Sequence, residues 1–425
     1  MKPDHLPLFS LGNPDRLLSE LEIRSLVAQA LDSWDLTRQR VLLIVPDGTR
    51  TAPVGQLFRL LHELLWGRVK ALDVLVALGT HPPMSTVALN HLLGISAEER
   101  AEEYAGVHIF NHTWDQVESL VTLGSISAEE TEALSQGALS LEVPVRLNRL
   151  ALEYDVLLVC GPVFPHEIVG YSGGSKYFFP GISGPEVIHF THWLGALITS
   201  YAIIGRKHNP VRESVERAAA MIPRPKLSLC MVACHDGLYG LYAGEVAAAW
   251  SAAADLSARV HVRYFERPFQ KVLSLVGRRY DDLWTGGKGM YKIEPVVADG
   301  GEVVLYAPHI NEVSYTHGQI LDQIGYHVRD YFAKQWERFK DYPWGVLAHA
   351  TDVRGIGSYE AGIERPRVRV ILATGIPPER CRLINLDYLD PALVRPEDWQ
   401  GREAEGVLVV PDAGEILYRL HSQRE

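Results

Sequence analysis

Residues 156–193 read VLLVCGPVFPHEIVGYSGGSKYFFPGISGPEVIHFTHW and carry the strongest structural and chemical signal in the chain. The apolar run VLLVC predicts a buried strand, because it is short, aliphatic and followed by glycine and proline. A histidine, a glycine-rich turn, a lysine and two more histidines come next. Since open α/β sheets bind ligands at the carboxyl ends of their strands, a ligand site is expected here.

Similar apolar runs recur along the chain, and segments of helix length separate most of them. They begin at Val41, Val74, Leu227, Val303, Val370 and Val407. This alternation predicts an α/β fold with mainly parallel sheets and helices on both faces. Amphipathic patterns at residues 16–34 and 325–340 predict two of the covering helices.

The length of 425 residues allows two domains, each with its own core. Polar segments that contain proline, at residues 266–269 and 390–405, are candidate hinges. They predict an N-terminal α/β domain of residues 1–267 plus 406–425 and a C-terminal α/β domain of residues 268–405. Because ligand sites favour clefts between domains, we expect the active site in the interdomain cleft.

Composition favours a small-molecule partner. The net charge is −11, and no long cluster of Lys and Arg is present, which argues against nucleic acid or an anionic membrane as the partner. The N-terminus lacks a signal-peptide pattern, so a cytoplasmic location is expected. The four cysteines have no CxxC spacing, which favours reduced, buried thiols over disulfides or a zinc site. The sequence leaves the oligomeric state open.

Two strand ends in the N-terminal half carry candidate site residues. In PDGTRTAP, Asp47 and Arg50 lie three residues apart in a glycine-containing turn, where an arginine can bind an anion and the carboxylate can orient it. A capping aspartate beside a solvated arginine would give the same pattern. In ALGTHPP, His81 is held between Thr80 and two prolines, which suits proton transfer or a structural role.

The glycine-rich segment carries a third cluster. Prolines rigidify the approach to His166, and Gly170, Gly173 and Gly174 allow the backbone to come close to a phosphate or a flat ring. Lys176 stands beside aromatic residues, which can lower the pKa of an amine and make it a nucleophile. A phosphate-binding or surface lysine is the alternative, and the flanking motif is what favours the nucleophile.

Two further features complete the set. His189 and His192 have the i, i+3 spacing that puts both on one helix face, a weak indication of metal binding. In the glycine-flanked turn TGGKGM, Lys288 is a second candidate cation for a carboxylate substrate, and a solvated lysine is the alternative.

Taken in order, these residues resemble the nickel-dependent lactate racemase family, whose members racemise or epimerise 2-hydroxy acids. The resemblance covers most of the chain and rests on the following matches: Asp-Gly-Thr-Arg at 47–50, Gly-Thr-His at 79–81, His166, Gly-Tyr-Ser-Gly-Gly-Ser-Lys at 170–176, His192, and Lys-Gly-Met at 288–290. Each motif alone is weak, whereas their order and spacing are specific.

The resemblance implies a cofactor and a role for each matched residue. Lys176 would tether a nickel pyridinium-3,5-bisthiocarboxylic acid mononucleotide through a thioamide, in a loop of Tyr171, Ser172, Gly173 and Gly174. His192 would complete a square-planar nickel site whose other donors are a ring carbon and two sulfurs. His81 and His166 would be paired acid/bases, with Arg50 and Lys288 on the substrate carboxylate and Asp47 as an orienting group. Cofactor-building enzymes would be needed for maturation.

This assignment implies a two-histidine mechanism. One histidine takes the hydroxyl proton while hydride leaves C2, which gives a planar 2-keto acid. After the intermediate rotates, hydride returns to C2 on the other face and the other histidine protonates the alkoxide, which gives the opposite enantiomer. One position departs from the family's simplest lactate enzymes: Thr285, preceded by Trp284, replaces a glutamine. Together with His309, Asn311 and His317 in APHINEVSYTHG, this favours a larger or more polar substrate than lactate, such as a sugar acid or hydroxy-diacid.

Three other functions compete with this one. A nicotinamide dinucleotide enzyme would need GxGxxG after an N-terminal strand, and the sequence has no such match. An isomerase or lyase that uses a divalent metal with the same histidines, and a cofactor-free binding protein on the same fold, both stay open. Metal analysis separates them, because only the racemase requires nickel with a sulfur-rich cofactor.

Overall fold

The computed structural model describes residues 6–48 and 51–424, which divide into two compact units. The first unit contains the chain up to Phe164 together with Tyr171–Ile188 and Pro210–Val260. The second contains Pro165–Gly170, His189–Asn209 and the chain from His261 onward. The chain therefore passes between the units several times, instead of changing once near residue 267 and once near residue 405 as the hinges predict.

The strands are β1 (Phe9–Gly12), β2 (Arg40–Pro46), β3 (Ala71–Ala77), β4 (Ile109–Asn111), β5 (Leu120–Ile126), β6 (Val143–Asn148), β7 (Val156–Pro162), β8 (Pro165–His166), β9 (Gly170–Tyr171), β10 (Lys226–Cys234), β11 (Gly237–Glu245), β12 (Val262–Phe265), β13 (Phe269–Val276), β14 (Val297–Ala307), β15 (Gly357–Glu360), β16 (Ile363–Pro366), β17 (Arg369–Thr374), β18 (Asp387–Tyr388), β19 (Val407–Ala413) and β20 (Leu417–Leu420).

The helices are α1 (Glu20–Ser33), α2 (Val54–Leu65), α3 (Thr86–Leu93), α4 (Ala97–Ala101), α5 (Ala128–Leu134), α6 (Leu150–Glu153), α7 (Pro185–Ile198), α8 (Ser200–Ile203), α9 (Pro210–Ala220), α10 (Val246–Val260), α11 (Leu283–Gly286), α12 (Lys288–Tyr291), α13 (Gly318–Ile324), α14 (Arg329–Ala333), α15 (Trp336–Phe339), α16 (Trp344–Arg354) and α17 (Pro378–Leu383). Among the described residues, no helix has both the length and the apolar composition that a membrane crossing requires.

The first unit is built on a seven-stranded sheet with the order β1-β11-β10-β7-β2-β3-β4. Its five strands from β10 to β4 pair in parallel, whereas β11 and β1 add an antiparallel edge. The parallel strands β2 and β7 are almost continuously buried, as expected where helices cover both faces. The chain order reverses between β2 and β7, so the loops that follow them diverge at a switch point, where open sheets bind ligands.

The second unit contains a five-stranded parallel sheet with the order β18-β17-β14-β13-β19. Its interior strand β13, between β14 and β19, begins at the end of the segment that the sequence marks as a hinge. The last long strand, β19, pairs with β13 within this sheet, whereas the sequence-based domains assign all of it to the N-terminal domain. The fold class is thus α/β with mainly parallel sheets, as predicted.

Helix α1 confirms the pattern at residues 16–34, and Ser19 caps it by accepting a hydrogen bond from the Glu22 N–H. The pattern at residues 325–340 instead gives two short helices, α14 and α15. Aromatic packing explains this break, because Phe332 and Phe339 meet edge to face at 4.9 Å between ring centroids. A single straight helix would put two residues seven positions apart about 10 Å from each other along its axis.

Candidate functional site

Asp47 and His81 meet at the carboxyl edge of the first sheet. Asp47 directly follows β2, and His81 follows the neighbouring parallel strand β3. The Nδ1 atom of His81 lies 2.5 Å from Oδ2 of Asp47. The carboxyl group is buried, whereas the His81 side chain is 39% exposed. A carboxylate in this position keeps the ring proton on Nδ1, so Nε2 is the atom that can exchange a proton with a ligand. Arg50, the predicted partner of Asp47, lies outside the described residues.

Backbone hydrogen bonds connect the His81 turn to the Lys176 turn. The His81 N–H donates to the Leu78 carbonyl, which closes the first turn. Within that turn, the Gly79 N–H donates to the Gly181 carbonyl at 2.9 Å, and the Gly181 N–H donates to the Lys176 carbonyl at 3.0 Å. The histidine and the lysine are thus fixed relative to each other by the main chain, although 95 positions separate them in the sequence.

Arg212 and Trp250 hold the loop that leads to Lys176. The guanidinium of Arg212 is buried, and it donates to the carbonyls of Tyr171 and Gly173. It also lies over the Trp250 ring, at 4.1 Å from the centroid. The indole Nε1 of Trp250 donates to the Ser172 carbonyl at 2.8 Å. Three successive carbonyls of the loop are therefore bound by two side chains from α9 and α10.

Protein atoms explain why the loop contains glycines. Gly173 and Gly174 have φ angles of +80° and +60°, which disfavour side chains. A Cβ on Gly173 would lie 2.6 Å from Cγ2 of Val163, and one on Gly174 would lie 2.8 Å from the Trp250 ring. Close packing against the protein is thus the observed reason for both glycines. The Ser172 hydroxyl also has a local role, since it donates to the Pro162 carbonyl and accepts from the Phe164 N–H.

The turn presents Lys176 while it buries the neighbouring residues. Ser175 and Tyr177 are buried, whereas Lys176 is partly exposed. The Ser175 hydroxyl donates to Oε2 of Glu216 at 2.6 Å, which ties this side of the turn to α9. The tyrosine covers Gly161 at the end of β7, where no larger residue would fit. Lys176 is therefore the residue of this turn whose side chain can reach a ligand.

The second unit carries His166 and His192. His166 is buried in β8, and its Nδ1 accepts a hydrogen bond from the Ile168 N–H at 3.2 Å. The same Nδ1 also lies 3.4 Å from Oε2 of Glu167. His192 is partly exposed on α7, beside Gly345 at the start of α16. The next residue, Trp193, is buried and stacks on Trp336 at 5.0 Å, which fixes this part of the helix.

Lys288 and Trp284 belong to a second cluster in this unit. The Nζ atom of Lys288 lies 5.1 Å from the centre of the Tyr280 ring. Trp284 packs on His349 at 4.0 Å and on His317 at 4.6 Å between ring centroids. Burial, followed by the neighbouring His317 and Lys288, lowers the pKa of His349 to about 3. His349 is thus a neutral imidazole beside the lysine.

The other polar residues predicted near the substrate have structural roles. The Thr285 hydroxyl donates to Oδ1 of Asp282 at 2.7 Å, and Asp282 caps α11. The ring Nε2 of His309 lies 3.0 Å from the Tyr280 carbonyl, and the Asn311 amide donates to the His309 carbonyl. These contacts account for Thr285, His309 and Asn311 without a ligand, whereas His317 stays next to Trp284.

Sequence reasoning missed Arg212, Trp250 and His349. Each lies within a helix and is far in sequence from the residues it contacts, so no local motif marks it. Within the described ranges, no group of three or more His, Cys, Asp and Glu side chains is placed to hold a metal ion.

Comparison with known sequences places the chain near lactate racemases. The family model for the lactate racemase N-terminal domain matches residues 22–204. A lactate racemase from Thermoanaerobacterium thermosaccharolyticum is 23% identical over 274 residues, which are 64% of this chain. The match spans 60% of that relative, less than two thirds of its length.

Comparison with solved structures agrees. A crystal structure of a protein from Thermotoga maritima is 32% identical, with a TM-score of 0.87, and the match covers 96% of this chain and 100% of that one. The apoprotein of the Thermoanaerobacterium thermosaccharolyticum lactate racemase shares the fold, with a TM-score of 0.71 at 19% identity over 93% of this chain and 92% of that one. The chain belongs to the lactate racemase-like family.

Proposed function

We propose that the protein is a racemase or epimerase that inverts C2 of a 2-hydroxy acid. The observation that carries this proposal is the backbone connection between the His81 turn and the Lys176 turn at one edge of the first sheet. An acid/base histidine with its orienting carboxylate is thereby fixed beside a presented lysine. Membership of the lactate racemase-like family supports the same reaction class.

The residues present fit a nickel nucleotide tethered at Lys176, with His192 as the protein ligand to the metal. Lys176 is partly exposed between buried neighbours, so a tethered group can be accommodated at its end of the turn. His192 is also partly exposed, and imidazole is a suitable ligand for nickel. When bound, this group would supply the acceptor for the C2 hydride. Enzymes that build the cofactor would be partners in maturation.

The side chains of the protein would then move protons and hold the substrate. His81, oriented by Asp47, takes the hydroxyl proton from one enantiomer as C2 loses hydride, and the organic product of this half-reaction is the 2-keto acid. His166 supplies the proton that forms the opposite enantiomer when hydride returns. Arg50 and Lys288 bind the substrate carboxylate. Because each histidine serves one enantiomer, loss of either impairs both directions.

The cluster around Lys288 favours a substrate larger than lactate. Trp284 packs on His317 and on the neutral His349, whose pKa Lys288 helps to lower, so flat and partly polar groups belong to the cluster of the lysine. Such groups can contact hydroxyl or carboxylate substituents beyond C3, which fits a sugar acid or a hydroxy-diacid. Thr285, His309 and Asn311 have structural roles, so they are not evidence for the size of the substrate.

The test is intact mass and metal analysis on protein co-produced with the cofactor-building enzymes. Wild type should gain a nucleotide-sized adduct with one nickel, and Lys176→Ala should gain neither. Lys70→Ala, an exposed lysine in the same unit, is the matched control and should load like wild type. Wild type without adduct or nickel would overturn the proposal in favour of a divalent-metal enzyme or a binding protein.

A second measurement tests the reaction itself. A 2-hydroxy acid deuterated at C2 should racemise in ordinary water without losing its label, because a transferred hydride does not exchange with solvent, whereas an abstracted proton does. Washout of the deuterium at the rate of inversion would contradict hydride transfer.

A further inference from the structure

The second unit contains a cavity of about 480 Å³ that none of the proposed catalytic residues lines. It lies among the residues after α7, the last turn of α16 and the β15–β16 hairpin. Three arginines, Arg329, Arg365 and Arg367, contribute to its wall. Its volume lies within the range typical of small-molecule sites. We call it the arginine cavity.

Arg365 is the arginine best placed to bind a ligand. It is exposed on β16, and its guanidinium makes no hydrogen bond or ion pair with another residue in the part of the chain that the structure describes. Strands β15 and β16 form a short antiparallel pair, in which Arg365 lies opposite Ser358, another residue of the cavity wall. A guanidinium carries five N–H donors and binds carboxylate or phosphate oxygens two at a time.

The other two arginines are held in position, and Arg329 keeps part of its positive charge uncompensated. Arg329 donates to the Leu197 carbonyl, and it shares the carboxylate of Asp330 with Lys334. Two cations thus meet one anion. Arg367 donates to the carbonyls of Val297 and Glu294 and pairs with the Asp299 carboxylate at 3.2 Å and the Glu294 carboxyl at 3.6 Å, so it shapes the wall without adding free charge.

The acid in the cavity wall does not cancel this charge. Asp352 is buried, and burial raises the pKa of its carboxyl well above the usual value. Its neighbour in the wall, Ser200, hydrogen-bonds to it. A neutral carboxylic acid can donate a hydrogen bond to an anion, whereas an ionised one would repel it. The wall therefore presents cations and polar groups.

A strained residue also lies in the wall. Thr199 has φ 90° and ψ 140°, a conformation that is very unusual for a β-branched side chain. It is the residue between α7 and α8, and its hydroxyl caps α8 by accepting from the Ala202 N–H. Strain of this kind is concentrated at functional sites, where the surrounding structure maintains it.

The cavity is separate from His192 but shares two helices with it. From His192 to Ile198, at the end of α7, six residues span about 9 Å. From Gly345, which neighbours His192, to Asp352 in the cavity wall, seven residues of α16 span about 10 Å. A ligand in the cavity would contact the far ends of the helices that position His192.

We propose that the arginine cavity is a binding site for a small anion with carboxylate or phosphate groups. The proposal rests on the cavity, on the arginines in its wall and on the polar residues Ser200 and Asp352 beside them. This anion would be distinct from the substrate of the proposed racemase. The shared chemistry is a pair of anionic oxygens bound by Arg365, with Arg329 supplying additional positive charge in the wall. A dicarboxylate and inorganic phosphate are the two sources to distinguish.

Calorimetric titration of the purified full-length chain with sodium phosphate and with succinate tests this site. At least one probe should bind at one site per chain, and Arg365→Gln should weaken its binding about tenfold or more, as expected for one lost charge-assisted contact. Arg382→Gln, an exposed arginine of the same unit outside the cavity, should leave the affinity unchanged. The probe that binds more tightly identifies the class of ligand.

Two results would overturn the proposal. One is the absence of saturable binding of either anion at concentrations up to about 10 mM, which is tenfold above the dissociation constant of about 1 mM at the weak end of metabolite affinities. The other is an equal effect of Arg365→Gln and Arg382→Gln, which would indicate general attraction to the surface. Circular dichroism of both variants checks folding. Since the titration needs neither cofactor nor turnover, its outcome is independent of the proposed racemase activity.

Discussion

The Nδ1 atom of His81 lies 2.5 Å from Oδ2 of Asp47, although the two residues follow different strands. A second pair in the same unit has similar chemistry: Nδ1 of His108 lies 3.0 Å from Oδ1 of Asp73. Asp73 is in β3 and His108 comes just before β4, so this pair lies at the amino ends of the strands, at the opposite edge of the sheet. The unit thus contains its own control for the function of a His–Asp pair.

We expect His81→Gln to lower the turnover of the loaded enzyme by at least about 100-fold in both directions, because glutamine cannot exchange the proton. His108→Gln should stay within about twofold of wild type. The measurement is the initial rate of inversion of each enantiomer of a 2-hydroxy acid. Equal losses in the two variants would show that His81 acts only through folding.

The buried guanidinium of Arg212 leads to a second prediction. Arg212→Met fills much of the same space but removes the guanidinium donor from the carbonyls of Tyr171 and Gly173, of which the second keeps the Lys176 N–H at 3.3 Å, at a cost of about 1–3 kcal/mol. The loop should loosen, and the fraction of protein that carries an adduct at Lys176 should fall with the thermal midpoint.

Arg217→Met is the control on the same helix, since its side chain is 54% exposed and pairs with Glu130. Exposed pairs contribute only about 0–1 kcal/mol, so loading and midpoint should change little. Intact mass gives the loaded fraction and calorimetry gives the midpoint. Full loading of Arg212→Met would contradict the positioning role.

The sequence predicts the strands that carry the site better than the contacts that assemble it. Continuous apolar runs such as 156–160 mark buried parallel strands, and the polar residues after them mark the ligand edge. Strand β13 escapes this reasoning because FQKVLSLV contains polar residues and follows a segment that resembles a hinge. Its interior place in the second sheet depends on pairing with β14 and β19, which no local pattern encodes.

In the candidate site, too, the sequence predicts the residues better than the contacts between them. The motifs identify Asp47, His81 and Lys176, but the link through Gly79 and Gly181 depends on how two distant loops pack. The glycines at 173 and 174 are predicted as places of close approach, and the approaching groups are Val163 and Trp250. Sequence indicates that a position must lack a side chain, whereas only the structure identifies what fills the space.

These glycines give a third prediction. Gly173→Ala combines strain at φ +80° with a Cβ 2.6 Å from Val163, whereas Gly137→Ala has φ +86° and no atom within 4 Å. Both substitutions therefore carry the cost of a positive φ, about 1–2 kcal/mol, and only the first adds a clash. Gly173→Ala should be more destabilising by about 1–3 kcal/mol and should load less cofactor. Urea unfolding measures the difference, and equal losses would exclude the clash.

A buried histidine makes the stability of the first unit depend on pH. The ring of His112 is neutral between the Ser183 carbonyl and the Asn148 amide, at 2.9 and 3.1 Å, and burial lowers its pKa to about 4. In the unfolded chain the imidazole binds a proton near pH 6.5. The contribution of the neutral, buried ring to the free energy of unfolding is therefore fully present above pH 6.5 and is lost as the pH falls towards 4. The full difference is about 3 kcal/mol.

Urea unfolding at pH 7 and pH 4.5 tests this dependence. His112→Asn is expected to be less stable at both pH values, because it loses hydrogen bonds, but its stability should fall less between them than that of wild type. His91→Asn, an exposed histidine of the same unit, should keep the wild-type fall. An unchanged fall in His112→Asn would show that other groups cause the acid sensitivity.

Lys288 gives a prediction with two independent readouts. Lys288→Met should lower kcat/KM about 10- to 100-fold, mainly through KM, because one charge-assisted contact to the substrate carboxylate is lost. The same change removes a cation that lowers the pKa of His349, so this pKa should rise, which NMR of the imidazole can detect without substrate. Lys271→Met, in the exposed pair with Glu302, should change neither quantity. A shifted His349 with normal kinetics would place Lys288 beside the histidine but away from the substrate, and the carboxylate would then need another cation.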